Sequence, residues 1–86
     1  MPSMNQKIFE MGFSVETVSV YLLCCSLGDS GARISVKNLR GVWNSTEDDL
    51  NKGLNALEDR NILIRTLSDQ EGNIFYRLSE LEDWKF

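Results

Sequence analysis

Histidine is absent from this chain of 86 residues, and there are only two cysteines. Without histidine, no imidazole is available as a general base near neutral pH. The chain also has no Cys-x-x-Cys pair, which argues against a zinc site built from one chain. It lacks a glycine-rich phosphate loop and a Gly-x-Ser-x-Gly elbow as well. We therefore predict that the protein is not an enzyme and binds neither a metal nor another cofactor.

The two cysteines, Cys24 and Cys25, are adjacent in the chain. Neighbouring residues of a helix point about 100° apart, which opposes a disulfide between them. One interpretation is a pair of small buried apolar side chains. The alternative is a redox-sensing thiol on the first helix, where no nearby basic residue would lower its pKa.

Long apolar runs are absent too, since no stretch of about 18 apolar residues could form a transmembrane helix. The first residues, Met-Pro-Ser-Met-Asn-Gln-Lys, do not form the apolar core of a signal peptide. We therefore expect a cytoplasmic protein with no membrane partner. The length corresponds to one small domain, with a lead-in arm at 1–13, a core at 14–79 and a tail at 80–86.

A first helix is predicted over about 15–27, with Ser14 as its N-cap and Gly28 as the residue that ends it. Apolar residues occur nearly all round this helix, so it should be buried on more than one side. The chain termini or a second subunit could cover the second side. One apolar stripe consists of Val15, Val18, Leu22 and Cys25. The candidate residues for a homodimer interface are Val20, Leu23, Leu27 and Trp84.

A second helix is predicted over about 36–43, with Ser35 as its N-cap. Gly41 lies inside this helix, where glycine costs about 1 kcal/mol relative to alanine, and close packing would be the benefit. Trp43, at its end, is expected in the core.

A third helix is predicted over about 47–60, capped by Thr46 or by Ser45. Leu50, Leu54 and Leu57 follow at spacings of four and three, which places them on one helical face. Together with the helix before it, this segment gives a helix, a short turn and a helix. In such a unit the second helix can enter the major groove of DNA.

Three strands are predicted around these helices. Residues 32–34 form a short first strand, and 62–67 and 74–78 form a hairpin whose connecting loop is 68–73. The tail carries Leu81, Trp84 and Phe86, which fit a short final helix that docks on the core or on a partner chain.

This pattern resembles the winged helix-turn-helix superfamily of small bacterial regulators. There, a Ser-Val-x-x-Leu opening precedes the turn, Ser or Thr begins the next helix, and Leu-x-x-Leu and Gly-Leu-Ile follow. Asn61 stands where the family has glycine, and asparagine also accepts the left-handed conformation that ends a helix. The matching residues are Ser35, Val36, Leu39, Thr46, Leu50, Leu54, Leu57, Asn61, Ile62 and Leu63.

The resemblance implies an α+β fold with a three-helix core, a short strand, a two-stranded wing and a C-terminal tail. It also implies a homodimeric transcription regulator that binds double-stranded DNA through the third helix and the wing. Asn51 and Asn55 could pair with adenine edges, and Lys52 could reach phosphate or guanine. The candidate DNA-binding residues are Lys37, Arg40, Asn51, Lys52, Asn55, Arg65 and Arg77.

Charge favours a different partner. The formal net charge is −4, and over 47–60 two basic residues against five acidic ones give −3. DNA-binding surfaces usually carry the opposite sign. The alternative function is therefore a winged helix that contacts a basic protein. Its candidate residues are Glu47, Asp48, Asp49, Asp69 and Glu71.

Overall fold

The computed structural model describes residues 5–68 and 73–85. Over these ranges the chain is an α+β fold of three α-helices and a three-stranded antiparallel sheet. The helices are α1 (Val15–Asp29), α2 (Val36–Val42) and α3 (Glu47–Asp59). The strands are β1 (Ile34–Ser35), β2 (Leu63–Ser68) and β3 (Ile74–Leu78). Short 3-10 helices lie at Gln6–Glu10 and Leu81–Asp83, and no helix within the described ranges is long and apolar enough to span a membrane.

A hydroxyl side chain caps the start of each α-helix. The Ser14 Oγ accepts a hydrogen bond from the Thr17 amide at 3.3 Å, and the Ser35 Oγ accepts one from the Asn38 amide at 3.0 Å. The Thr46 Oγ1 accepts one from the Asp49 amide at 3.2 Å. Each bond satisfies an amide that has no partner within its helix. The three predicted caps are confirmed, and Thr46 rather than Ser45 caps α3.

Left-handed residues end α1 and α3. Asn61 has a φ of 58°, which confirms the prediction for α3, and the Ile62 amide donates to the Leu57 carbonyl at 2.9 Å. The prediction that Gly28 ends α1 is wrong. Gly28 lies inside the helix, and Gly31 adopts the positive φ of 82° instead. Placing the left-handed residue at Gly31 adds helical hydrogen bonds before the chain turns towards β1.

The sheet has the order β1-β3-β2, with β3 in the centre. Ile34 pairs with Tyr76, and Leu63 pairs with Leu78. An irregularity in register separates Arg65 from Leu67 on β2. Both predicted hairpin strands are confirmed; β3 has the predicted bounds, and β2 lies one residue later than the predicted 62–67. The first strand lies later than predicted, at Ile34–Ser35, because pairing with β3 begins only there.

The core face of α1 differs from the predicted apolar stripe. Val15 is 78% exposed and Leu22 is 38% exposed, whereas Val20, Tyr21 and Cys24 are almost fully buried. Apolar residues are spread around the helix, so their spacing does not select one face. The polar Thr17 also belongs to the buried face, with its hydroxyl 3.1 Å from that of Ser14.

Both ends of the described chain cover Tyr21. Its hydroxyl accepts a hydrogen bond from the Asn5 amide at 2.8 Å, and its ring meets that of Trp84 edge to face, with centroids 5.9 Å apart. The lead-in also buries Ile8 completely. The terminal segments therefore supply the second layer over α1, which was one of the two alternatives for that side.

Two expectations about α2 need correction. An ideal Cβ at Gly41 would have nothing within 4 Å, so close packing is not the reason for this glycine. Trp43 is only partly buried, because it lies at the turn between α2 and α3. Its indole nitrogen donates to the Thr46 carbonyl at 2.7 Å. The close approach occurs at Gly53 on α3 instead, against Val20.

Candidate functional site

The candidate site begins with the outer face of α3. Leu50, Leu54 and Leu57 are each 3% exposed or less, and they hold one face of the helix against the core. The helical period then turns Asn51, Lys52 and Asn55 outwards, and all three are exposed. Within the described ranges these three side chains form no hydrogen bond or ion pair. Two amides and one ammonium group are thus available to a partner on one surface.

The first turn of α3 carries the acidic residues Glu47, Asp48 and Asp49. Glu47 forms an ion pair with Arg40 of α2, at 2.5 Å. The Asp49 carboxylate accepts a hydrogen bond from the Ser45 hydroxyl at 3.1 Å. Asp48 is exposed and has no such contact among the described residues. Carboxylates at this position also stabilise the helix dipole, so part of their role is structural.

Arg65 is occupied by a second ion pair. Its Nε lies 3.2 Å from Glu58 Oε1, and its Nη2 lies 3.4 Å from Glu58 Oε2. This contact connects β2 with the C-terminal half of α3. Arg40 and Arg65 therefore each neutralise an acidic residue of α3, and neither guanidinium stands by itself as a contact for a phosphate.

Arg77 lies apart from the surface of α3. Arg65 on β2 is in register with the buried Tyr76 on β3. The side chain of Arg65 reaches Glu58 of α3, so Arg65 and Tyr76 lie on the side of the sheet that faces α3. Side chains alternate along a strand, so Arg77 projects from the opposite side of the sheet. Lys37 is exposed at the start of α2, where its backbone amide donates a hydrogen bond to the Asn73 side-chain oxygen at 3.3 Å. The seven predicted DNA-binding residues thus do not form one surface.

The prediction of a dimer interface is wrong for two of its four residues, because both are buried within this chain. Val20 is 0% exposed and Trp84 is 6% exposed, so both belong to the core of this chain and offer no surface to a second copy. Leu23 and Leu27 are partly buried and pack against the core from its edge. Asp69 and Glu71, from the acidic set, lie outside the described residues.

Both cysteine thiols are buried and free. Burial raises the pKa of Cys24 to about 12 and also raises the pKa of Cys25. A redox-sensing thiol needs the opposite conditions, namely exposure and a lowered pKa. These cysteines are therefore core residues in this structure.

The thiol of Cys24 should make the fold less stable in alkali. A folded pKa above the unfolded value means that the folded state opposes thiolate formation. The stability is fully present below the unfolded value of 9.0 and is lost as the pH rises towards about 12. Melting temperatures measured across this interval should fall, and more gradually for Cys24→Ala than for the wild type. Equal slopes for the two proteins would show that Cys24 ionises as freely in the fold as outside it.

Sequence reasoning missed one feature of this part of the molecule. Arg33 lies with its guanidinium carbon 5.6 Å from the centroid of the Phe75 ring, and Arg33 and Arg77 line the same groove. The two segments are far apart in the chain, and no local spacing signals their meeting. Comparison with known protein families, curated proteins and solved structures finds no match for this chain.

Proposed function

We propose that this chain is a winged helix-turn-helix protein that binds double-stranded DNA through α3. The order of elements and the β1-β3-β2 sheet are compatible with that fold. In this proposal the β2–β3 hairpin is the wing. The observation that carries the proposal is the outward face of α3, with Asn51, Lys52 and Asn55 exposed.

The side chains on this face suit base recognition. Asparagine amides pair with the N6 and N7 edge of adenine, and a lysine ammonium contacts guanine or phosphate. Asn51 and Asn55 are one helical turn apart, so both face the same side of α3. Recognition would depend on base contacts more than on phosphate attraction.

Two ion pairs within the fold reduce the repulsion between the acidic residues of α3 and the phosphates of DNA. Glu47 is paired with Arg40, and Glu58 is paired with Arg65. Among the residues that the structure describes, Asp48, Asp49 and Asp59 are the acidic residues of α3 that form no ion pair. Phosphate attraction remains weak for a chain of net charge −4, and we expect binding only at low salt.

Replacing Lys52 with alanine should weaken DNA binding and lower the slope of log affinity against log salt by about one. The reason is the loss of one phosphate contact. Fluorescence anisotropy with a labelled duplex over a range of salt concentrations measures both effects. Lys85→Ala, which removes an exposed positive charge on the tail, is the matched control and should leave affinity and slope unchanged. Equal values for Lys52→Ala and the wild type would exclude α3 as the DNA-binding helix.

A second candidate function is contact with a basic protein, favoured by the exposed Asp48 at the start of α3 and by the net charge. The variant Asp48→Asn distinguishes the two functions, because it should change the affinity for DNA and the affinity for a basic protein in opposite directions. It should strengthen DNA binding, since a charge that repels phosphate is removed. If a basic protein is the partner, the same variant should weaken that complex.

A further inference from the structure

A groove of about 490 Å³ lies between the C-terminal end of α1, strand β1 and the outer side of the hairpin. Gly28 and Ala32 form one wall, and Phe75 lies on the other. Arg33 and Arg77 both line it, and both are exposed to solvent. The groove therefore combines an aromatic surface with two guanidinium groups.

The charge of this groove is not compensated within the described ranges. No aspartate or glutamate lines it, and neither arginine forms an ion pair there. Arg40 and Arg65 differ in this respect, since each is paired with a glutamate. The whole chain has a net charge of −4, whereas this groove carries two arginines that form no ion pair within the described ranges. The groove is therefore a positive region on an acidic protein.

The guanidinium carbon of Arg33 lies over the Phe75 ring, 5.6 Å from its centroid. The negative face of an aromatic ring attracts a cation placed over it. Within the described ranges the Arg33 side chain donates no hydrogen bond, so its N–H groups are available to a ligand. Arginine donates two parallel hydrogen bonds to a carboxylate, so the guanidinium of Arg33 suits a carboxylate ligand.

We infer that this groove binds an extended acidic peptide of a partner protein, with carboxylates on Arg33 and Arg77 and an apolar side chain against Phe75. The groove lies on the side of the sheet away from α3, so this surface is separate from the proposed DNA-binding face. The inference therefore does not depend on the proposed function.

The shape and charge of the groove favour a peptide over other anions. Most small-molecule sites enclose most of the ligand surface, whereas four residues that line this groove, Ala32, Arg33, Thr66 and Arg77, are exposed to solvent. Nucleic acids are held by many phosphate contacts. Two arginines provide few such contacts but match two carboxylates of a peptide.

The test uses a short fluorescent peptide in which glutamates flank a single leucine, titrated with the full chain. The wild type should bind it, and Arg77→Ala should weaken binding about tenfold, as expected for the loss of a charge-assisted hydrogen bond. The double change Arg33→Ala with Arg77→Ala should abolish binding. Lys85→Ala is the control for net charge and should bind as the wild type does.

Four further measurements decide the result. A peptide with glutamine in place of glutamate should not bind. A single-stranded thymidine oligonucleotide should bind less tightly than the acidic peptide, and duplex DNA binding should be the same for Arg77→Ala and the wild type. Circular dichroism of Arg77→Ala should match the wild type, because the side chain is exposed.

The inference is overturned if the wild type does not bind the acidic peptide, or if the glutamine peptide binds equally well. It is also overturned if the oligonucleotide binds more tightly and is lost in the same variants. Loss of duplex binding in Arg77→Ala would assign the groove to DNA instead. The proposed function is tested separately, by the DNA affinity of Lys52→Ala. That variant should bind the acidic peptide as the wild type does.

Discussion

Replacing Trp84 with alanine is expected to lower the free energy of unfolding by about 3–5 kcal/mol, the usual cost of truncating a buried aromatic residue. Trp84 is 6% exposed, and its ring packs edge to face on Tyr21 with centroids 5.9 Å apart. The change leaves a cavity above α1, between the tail and the core. Domains of this size are stable by only about 5–15 kcal/mol, so the variant should be close to unfolding at room temperature.

Urea unfolding followed by far-ultraviolet circular dichroism measures this effect without relying on tryptophan fluorescence. Phe9→Ala is the matched control, because it also removes an aromatic ring near a chain end. Phe9 is 60% exposed, and its loss should change stability by less than about 1 kcal/mol. If the unfolding midpoint of Trp84→Ala equals that of the wild type, the tail is not part of the core.

Replacing Gly53 with alanine is expected to destabilise the fold by about 1–3 kcal/mol, the range found when extra atoms enter a packed core. An ideal Cβ at this position would lie 2.8 Å from Val20 Cγ2 and 3.4 Å from the Thr17 Cα. Val20 is 0% exposed, and the Thr17 Cα belongs to the backbone of α1, so we expect α1 and α3 to move apart.

Gly41→Ala supplies the control with the same chemical change. Gly41 also lies in an α-helix, but a Cβ there would have nothing within 4 Å. Alanine should therefore stabilise the protein by about 0.5–1 kcal/mol, the helix-propensity difference between the two residues. Thermal unfolding of both variants should give shifts of opposite sign. Shifts of the same sign would contradict the close contact between α1 and α3.

The parts of the fold that follow from local signals could be predicted from the sequence. Ser35 and Thr46 cap helices because a hydroxyl near the first free amides acts over a few residues. Asn61 takes a left-handed conformation for a similarly local reason. Residues 74–78 form a strand as their composition indicates. In each instance the structure depends mainly on neighbours in the chain.

The features that depend on distant contacts could not be predicted. Both Gly41 and Gly53 lie inside helices, and only the packing against Val20 shows which of them needs to be glycine. The buried face of α1 is set by α3 and by the two chain ends, not by its own apolar pattern. Gly28 and Gly31 were both able to end α1, and the position of β1 favours the second.

The candidate site divides in the same way. The outward direction of Asn51 and Asn55 follows from the leucine spacing of α3. The ion pair between Arg40 and Glu47 depends on how α2 and α3 meet, and no spacing in the sequence indicates it. The groove of Arg33 and Arg77 likewise forms only when β1 joins the hairpin.

The most direct test of the proposed DNA binding is fluorescence anisotropy of a random-sequence duplex pool, begun at low salt and continued as salt is raised. The proposal predicts binding at low salt that weakens linearly in a plot of log affinity against log salt. Such a result would show phosphate contacts despite the net charge of −4 and would justify selection of a preferred sequence. No binding at the lowest salt would contradict the proposal and favour a basic protein as the partner of α3.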